Sequence, residues 1–177
     1  FMGKSEFQDV AVVDSHQFGR MLILDGVFQT SIADEFIYHE MLAHIPMVAH
    51  GSATSVLVIG GGDGGIIREV LKHPKLSSVT MVEIDAGVVE YSKRYMPSLS
   101  QGAFENNKVK LHIADAAEFV KTTTDKFDVI ITDSTDPMGP GESLFTESFY
   151  SDCKKCLKPG GIMVTQSGVP FMQPQGI

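Results

Sequence analysis

The chain has 177 residues, enough for one domain with a sizeable core. Its 14 Lys+Arg against 22 Asp+Glu give a formal charge of −8, and 43% apolar with 20% charged residues is ordinary globular usage, which excludes disorder, collagen-like repeats and a basic nucleic-acid-binding face. No run approaches the ~20 apolar residues of a membrane helix, and the two cysteines are too few for a disulfide framework and fit a reducing cytoplasm.

In chain order, Phe7–Val13, Met21–Leu24 and Val27–Ser31 read as short strands. Gly19-Arg20 and Asp25-Gly26 supply the turns, the second being a strong hairpin signal. Residues 1–33 therefore form a small N-terminal β-hairpin region. Its strands have few core partners of their own, which predicts packing against another subunit. Asp34 is an N-cap candidate for a helix whose apolar positions Phe36, Ile37, Met41, Leu42 and Ile45 recur at helical spacing. That helix is expected to bend or fray at Pro46 and to end near His50-Gly51.

From Ser55 onward strands alternate with helices. Ser55–Ile59, Val79–Glu83, Val109–Ile113, Phe127–Thr132 and Ile162–Gln166 read as strands. Ile66–Lys72, Ala86–Tyr95, Ala116–Lys121 and Glu147–Leu157 read as helices. Ser98–Asn107 reads as a polar connection, Asp133–Ser143 as a long loop and Lys158–Gly161 as a turn. Such alternation implies an α/β fold: a parallel sheet with right-handed crossovers, covered on both faces, over residues 34–177.

Gly60-Gly61-Gly62-Asp63-Gly64-Gly65 follows the first buried strand and opens a helix. Glycine serves where backbone turns sharply and approaches a ligand closely. Gly60, Gly62 and Gly65 satisfy the dinucleotide pattern G-x-G-x-x-G. Gly60, Gly62 and Gly64 satisfy equally the G-x-G-x-G of sulfonium-nucleoside binders, and a tight turn without a ligand is the plain alternative. Glu83 ends the next strand, 23 residues after Gly60. A carboxylate there can accept both hydrogen bonds of a ribose diol, or simply be a solvated strand-end acid. Asp85 is better placed to cap the following helix. Asp115 ends the third strand, where its carboxylate can accept from an adenine amino group and the Ala116 N–H can donate to a ring nitrogen; it also suits a helix N-cap. Asp115 and Asp63 favour an adenosyl sulfonium over NAD, because Asp63 would repel a pyrophosphate and attract a cation.

Asp133-Ser134-Thr135-Asp136-Pro137 begins at the carboxyl end of the fourth strand, the edge where open α/β sheets bind ligands. Asp63, Asp133 and Asp136 around one cleft select a multiply cationic substrate or a metal. A metal fits less well, since the region lacks calcium-loop spacing and matching histidines. Asp133 can act as a general base toward an ammonium, or cap its own loop. Pro137, Gly139, Pro140 and Gly141 suit a loop that closes over a ligand. His39 and His44 stand i, i+5 on one helix, about 140° apart, so they do not make a zinc pair. Cys153 and Cys156 fall in mid-helix, where a redox pair is not expected.

Leu24-Asp25-Gly26, Gln29-Thr30, the run Asp34 to Met41, the glycine loop, Val82-Glu83-Ile84-Asp85, the run Asp133 to Pro140 and Ser143-Leu144-Phe145 together resemble the polyamine aminopropyltransferase family, its spermidine synthases in particular. The resemblance covers nearly the whole chain. It implies a Rossmann-like sheet of the class I methyltransferase type, and transfer of an aminopropyl group from decarboxylated S-adenosylmethionine to putrescine, giving spermidine and methylthioadenosine. Decarboxylated S-adenosylmethionine would be a co-substrate, with no metal or other cofactor. By position, Gln29, Asp63, Glu83, Asp115, Ala116 and Pro140 match the donor contacts. Tyr38, His39, Asp63, Asp133, Ser134, Thr135, Asp136 and Gln166 match the acceptor side, with Asp133 as the residue that deprotonates the amine. The resemblance also implies a cytoplasmic homodimer or homotetramer, with no nucleic acid or membrane as partner.

The chain opens on Phe1, with no secretory leader expected, and stops at Ile177 soon after the fifth strand. A fragment is expected, with Ile162–Gln166 left as an open sheet edge. A methyltransferase on the same fold, or an inactive nucleoside-binding or assembly module, are the competing readings. Cadaverine, agmatine and spermidine are the competing acceptors.

Overall fold

The computed structural model describes residues 1–135 and 139–167, the side chains of residues 139 and 140 excepted. Four antiparallel strands come first: β1 (Met2–Lys4), β2 (Asp9–Ser15), β3 (Gly19–Leu24) and β4 (Val27–Ser31), paired in chain order. One expectation is corrected here, and one strand was not expected. Gly19-Arg20 starts a strand rather than making a turn, because Arg20 pairs across the hairpin with Asp14, its Nε donating to Asp14 Oδ1 at 2.9 Å. The short exposed strand β1 has no buried alternation to betray it.

Helix α1 (Glu35–His50) runs through Pro46 and closes on Gly51 in the left-handed conformation. Asp34 precedes it without a side-chain cap; its Oδ1 instead accepts from the Ser31 hydroxyl at 2.6 Å.

Then follow β5 (Ser55–Gly60), α2 (Gly65–Leu71), β6 (Ser78–Glu83), α3 (Ala86–Tyr95), α4 (Pro97–Ser100), β7 (Val109–Ile113), α5 (Ala116–Thr122), β8 (Phe127–Asp133), α6 (Glu147–Cys156) and β9 (Leu157–Thr165). The connection read as polar contains α4 and a 3-10 turn at Ala103–Glu105, and another 3-10 segment spans Gly139–Phe145. Lys158–Gly161 belongs to β9, which shifts register against β8 there. The parallel sheet has the order β7-β6-β5-β8-β9, with β9 at its edge among the described residues.

The core has three parts. One sheet face, with Val56, Val58, Met81 and Ile131, packs against Ala43 and Met47 of α1 and Ile66 and Val70 of α2. The other, with Leu57, Ile59 and Ile130, packs against Val120 of α5 and Phe149, Cys153 and Cys156 of α6. Both thiols are buried there, and burial pushes the Cys153 thiol up to about 12, so they are packing groups rather than a redox pair. In the third part, Val10, Val12, Leu22 and Leu24 of the N-terminal sheet meet Val88, Met96 and Leu99 from α3 and α4. The expectation that these strands lack core partners in the same chain is therefore corrected. Val27, Phe28, Ile37, Met41 and Ile45 nevertheless stay exposed. Among the described residues no helix is long and apolar enough to cross a membrane.

Candidate active site

A cleft of about 640 Å³ opens at the carboxyl ends of β5, β6 and β8, where the strand order reverses about β5. Gly60 leaves β5 at φ +77°, and a Cβ there would stand 2.1 Å from the Asp133 carbonyl oxygen. The Gly61 N–H donates to that carbonyl at 2.9 Å, so the glycine loop and the end of β8 are tied together. Gly60 and Gly62 line the cleft, whereas Gly64 turns away to cap α2 and packs toward Ser100 and Phe104.

Part of the lining comes from the ends of β6 and β7 and from β4. Glu83 at the end of β6 is buried, and its Oε1 accepts from the Asp85 N–H at 2.9 Å. Burial, reinforced by the charges of Asp85 and Asp133, pushes its carboxyl up to about 7 against that backbone bond. Asp115 caps α5, accepting from the Ala117 N–H at 2.7 Å, and it lines the cleft together with Ala116. Gln29 of β4 lines the opposite side, its Nε2 donating to the Val27 carbonyl at 3.2 Å. Asp85 caps α3 as its position suggested, and it also accepts from Ser5 Oγ at 2.5 Å and Gln8 Nε2 at 2.9 Å.

The other wall carries the acids. Asp133 sits at the end of β8, and the Tyr38 hydroxyl donates to its Oδ1 at 2.5 Å. Burial and then the neighbouring Asp63 charge push the Asp133 carboxyl above the usual range, while Tyr38 and His39 pull it down. Burial and the facing carboxylates hold the Tyr38 phenol well above its ordinary value, so it serves as a donor. Asp63 Oδ1 accepts from the Gly65 N–H at 2.7 Å, and Oδ2 faces His39 Nε2 at 3.2 Å. Ser134, Thr135 and Gln166 also line the cleft, Gln166 through a backbone bond to Thr132 at 2.9 Å. Asp136 and the Pro140 side chain lie outside the described residues.

Sequence reasoning missed Glu35, Arg68 and Glu69, which form a buried ionic group behind His39. Its only trace in the sequence is a charged pair inside the apolar run Ile66 to Leu71. Gln8 and Asp25, also unforeseen, join the cleft lining from the N-terminal sheet. His44 faces Glu69 at 3.1 Å and His73 at 2.9 Å, away from His39. Among the described residues no three His, Cys, Asp or Glu side chains converge to hold a metal ion.

The family model for the spermine/spermidine synthase domain matches residues 35–177, and the model for the spermidine synthase tetramerisation domain matches residues 1–31. The polyamine aminopropyltransferase of a Ruegeria species is 61% identical over 170 residues, covering 96% of the chain and 60% of that relative. The polyamine aminopropyltransferase of Pseudomonas syringae pv. tomato is 56% identical over 174 residues, covering 98% of the chain and 61% of the relative. Among solved structures, a spermidine synthase bound to the transition-state analogue AdoDATO superposes with a TM-score of 0.95 at 41% identity, covering 99% of the chain and 60% of that structure. The Thermotoga maritima spermidine synthase superposes with a TM-score of 0.90 at 42% identity, covering 97% of the chain and 57% of that structure. The chain thus spans about 60% of the length of the curated relatives it matches.

Proposed function

The chain belongs to the spermine/spermidine synthase family, and from that premise we propose that it transfers the aminopropyl group of decarboxylated S-adenosylmethionine to putrescine, giving spermidine and methylthioadenosine. The observation that carries this reading is one cleft with two chemically different walls. Glu83 and Asp115 suit a nucleoside, and Asp63 with the Tyr38–Asp133 pair suits ammonium groups.

In this reading Glu83 accepts from the ribose hydroxyls, and Asp115, with the Ala116 N–H, reads the adenine. Gln29 and Pro140 complete the donor side, and Asp63 faces the donor's ammonium. Tyr38, His39, Ser134, Thr135, Asp136 and Gln166 form the acceptor side. Asp133 takes a proton from the attacking ammonium. The freed nitrogen lone pair attacks the propyl carbon, the carbon–sulfur bond breaks, and its electron pair stays on sulfur as a neutral thioether. Sulfonium is already a good leaving group, so the residues mainly hold donor and amine in line. The donor is a co-substrate, and no resident metal or cofactor is proposed. A carboxyl with raised pKa is suited to this proton transfer near neutrality.

Residues 1–33 are read as an N-terminal β region and 34–177 as the catalytic part. The tetramerisation-domain match and the exposed Val27, Phe28, Ile37 and Met41 support a homodimer or homotetramer. The absence of a membrane-crossing helix among the described residues is consistent with the cytoplasmic setting proposed.

The test is product analysis of the full-length protein with the decarboxylated donor and putrescine, cadaverine, agmatine or spermidine. Spermidine and methylthioadenosine from putrescine are expected. Methyl transfer from intact S-adenosylmethionine, or binding without turnover of any amine, would overturn the reading in favour of a methyltransferase or a binding module.

A further inference from the structure

Behind the acidic wall runs a line of buried charges. His39 is 1% exposed, with Nδ1 at 2.5 Å from Glu35 Oε2 and Nε2 at 3.2 Å from Asp63 Oδ2. A carboxylate only accepts, so the Nδ1 contact is a hydrogen bond only when Nδ1 carries a proton, and the Asp63 carboxylate at ion-pair distance favours a proton on Nε2 as well. Glu35 takes two parallel bonds from Arg68, Nη1 to Oε1 at 3.0 Å and Nη2 to Oε2 at 2.8 Å. Arg68 is itself fixed, Nε donating to Glu69 Oε1 at 2.7 Å and Nη1 to the Leu99 carbonyl at 2.7 Å. Lys72 donates to Glu69 at 2.8 Å, so the charges alternate in sign from Asp63 back to Lys72. Gly65 makes the approach possible, since a Cβ there would stand 2.2 Å from the His39 ring. Its N–H also holds the second oxygen of Asp63, which therefore cannot swing away from the imidazole.

We propose that Glu35 and Arg68 are positioning residues that keep His39 an imidazolium at neutral pH beside Asp63, and that this cation sets the protonation of Asp133. Two carboxylates on one wall repel, and without a nearby cation Asp133 would hold its proton more tightly. His39 is faced by Glu35 and Tyr38 from α1, Asp63 from the glycine loop and Asp133 from the end of β8, with Arg68 of α2 acting through Glu35. Asp133 is faced by Tyr38, His39 and Asp63, and by Glu83 of β6 across the cleft. Burial works against the charge on His39, but Asp63, with Asp133 and Glu35 behind it, carries the ring up to about 9. His39 in turn lowers the Asp133 carboxyl against burial and Asp63. The link to catalysis rests on Asp133 being the base; the imidazolium does not.

The experiment is NMR on the full-length protein, following the His39 ring nitrogens and the Asp133 carboxyl carbon with pH, beside kcat/KM profiles. In the unaltered protein the ring should carry both protons at pH 7.5 and lose one near pH 9. Glu35→Gln should lower the ring titration by about one pH unit or more while leaving that of Asp133 and the acidic limb of kcat/KM close to the parent's, because the ring still carries both protons where Asp133 titrates, near 6. Arg68→Lys should restore much of what Arg68→Met loses. His39→Gln, which keeps a neutral donor at the site, should raise the Asp133 titration without removing the fold. A singly protonated His39 at pH 7.5, a ring titration unmoved by Glu35→Gln, or an Asp133 titration unmoved by His39→Gln would overturn the proposal. Failure to transfer an aminopropyl group would strike the reaction alone, because both NMR titrations are read without turnover.

Discussion

The Tyr38 hydroxyl donates to Asp133 Oδ1 at 2.5 Å across 95 residues of sequence, joining the first helix to the end of the central sheet. The bond stabilises the ionised carboxylate, so Tyr38→Phe raises the Asp133 pKa. The expected result is an acidic limb of kcat/KM displaced to higher pH, and roughly a tenfold loss at pH 7. A pH–rate profile of the variant that overlays the parent would contradict the role given to Tyr38.

Asp133→Asn keeps the size of the side chain and removes the proposed base. Turnover should fall by about 10²–10⁴ while donor affinity changes only a few-fold. Single-turnover kinetics combined with calorimetric donor titration separates the two quantities. Near-normal turnover would take Asp133 out of the base role.

In the proposed binding mode Asp63 presents negative charge where the two candidate donors differ. Intact S-adenosylmethionine carries a carboxylate there, and the decarboxylated donor does not. Asp63→Asn should therefore narrow the preference for the decarboxylated donor by roughly tenfold. Competition binding of the two donors reads this directly, and an unchanged preference would refute it.

Glu83 is held up to about 7, so near neutrality a large share of it is protonated. Only the carboxylate accepts from both ribose hydroxyls, so donor affinity should strengthen as pH rises through about 7. Glu83→Gln should weaken binding and flatten that dependence. Donor titrations at pH 6, 7 and 8 are sufficient.

Asp128 of β8 accepts from the Thr54 and Ser55 N–H groups at 2.8 and 3.0 Å and from Lys158 at 2.9 Å, tying β8 to both of its neighbours, the start of β5 and β9. Burial opposes its charge, yet these donors hold its carboxyl down to about 2. A depressed acid contributes stability above its unfolded pKa, ~3.9, and loses it as pH falls toward the folded value. Asp128→Ala should cost roughly 2–3 kcal/mol near neutrality, chiefly by stranding two backbone donors. The deficit should shrink between about pH 4 and pH 2, as measured by urea midpoints.

Much of this molecule is readable from periodicity. The central strands β5, β6 and β8 are continuous apolar runs, and the glycine loop between β5 and α2 punctuates them, so their parallel direction follows, whereas their spatial order is seen only in the structure. Asp63, Glu83, Asp115 and Asp133 were legible because acids at the carboxyl ends of parallel strands face one crevice. Glu35 and Arg68 were not, because 33 residues separate them and their pairing depends on how α1 crosses α2. The same holds for Asp85, whose capping was local and visible, while its grip on Ser5 and Gln8 spans about 80 residues of chain. β1 escaped notice since its three residues are all exposed and carry no pattern.

That grip has a consequence for modularity. The two family models meet between residues 31 and 35, yet the physical seam does not run there. Leu22 and Leu24 pack with α3 and α4 and line the cleft, Arg20 donates to the Tyr95 carbonyl, and Asp85 reaches into the first turn of the chain. The N-terminal sheet is thus a wall of the cleft as much as the surface proposed for other subunits. Exchanging residues 1–31 between relatives would transplant specificity along with assembly, unless α3 travelled with them.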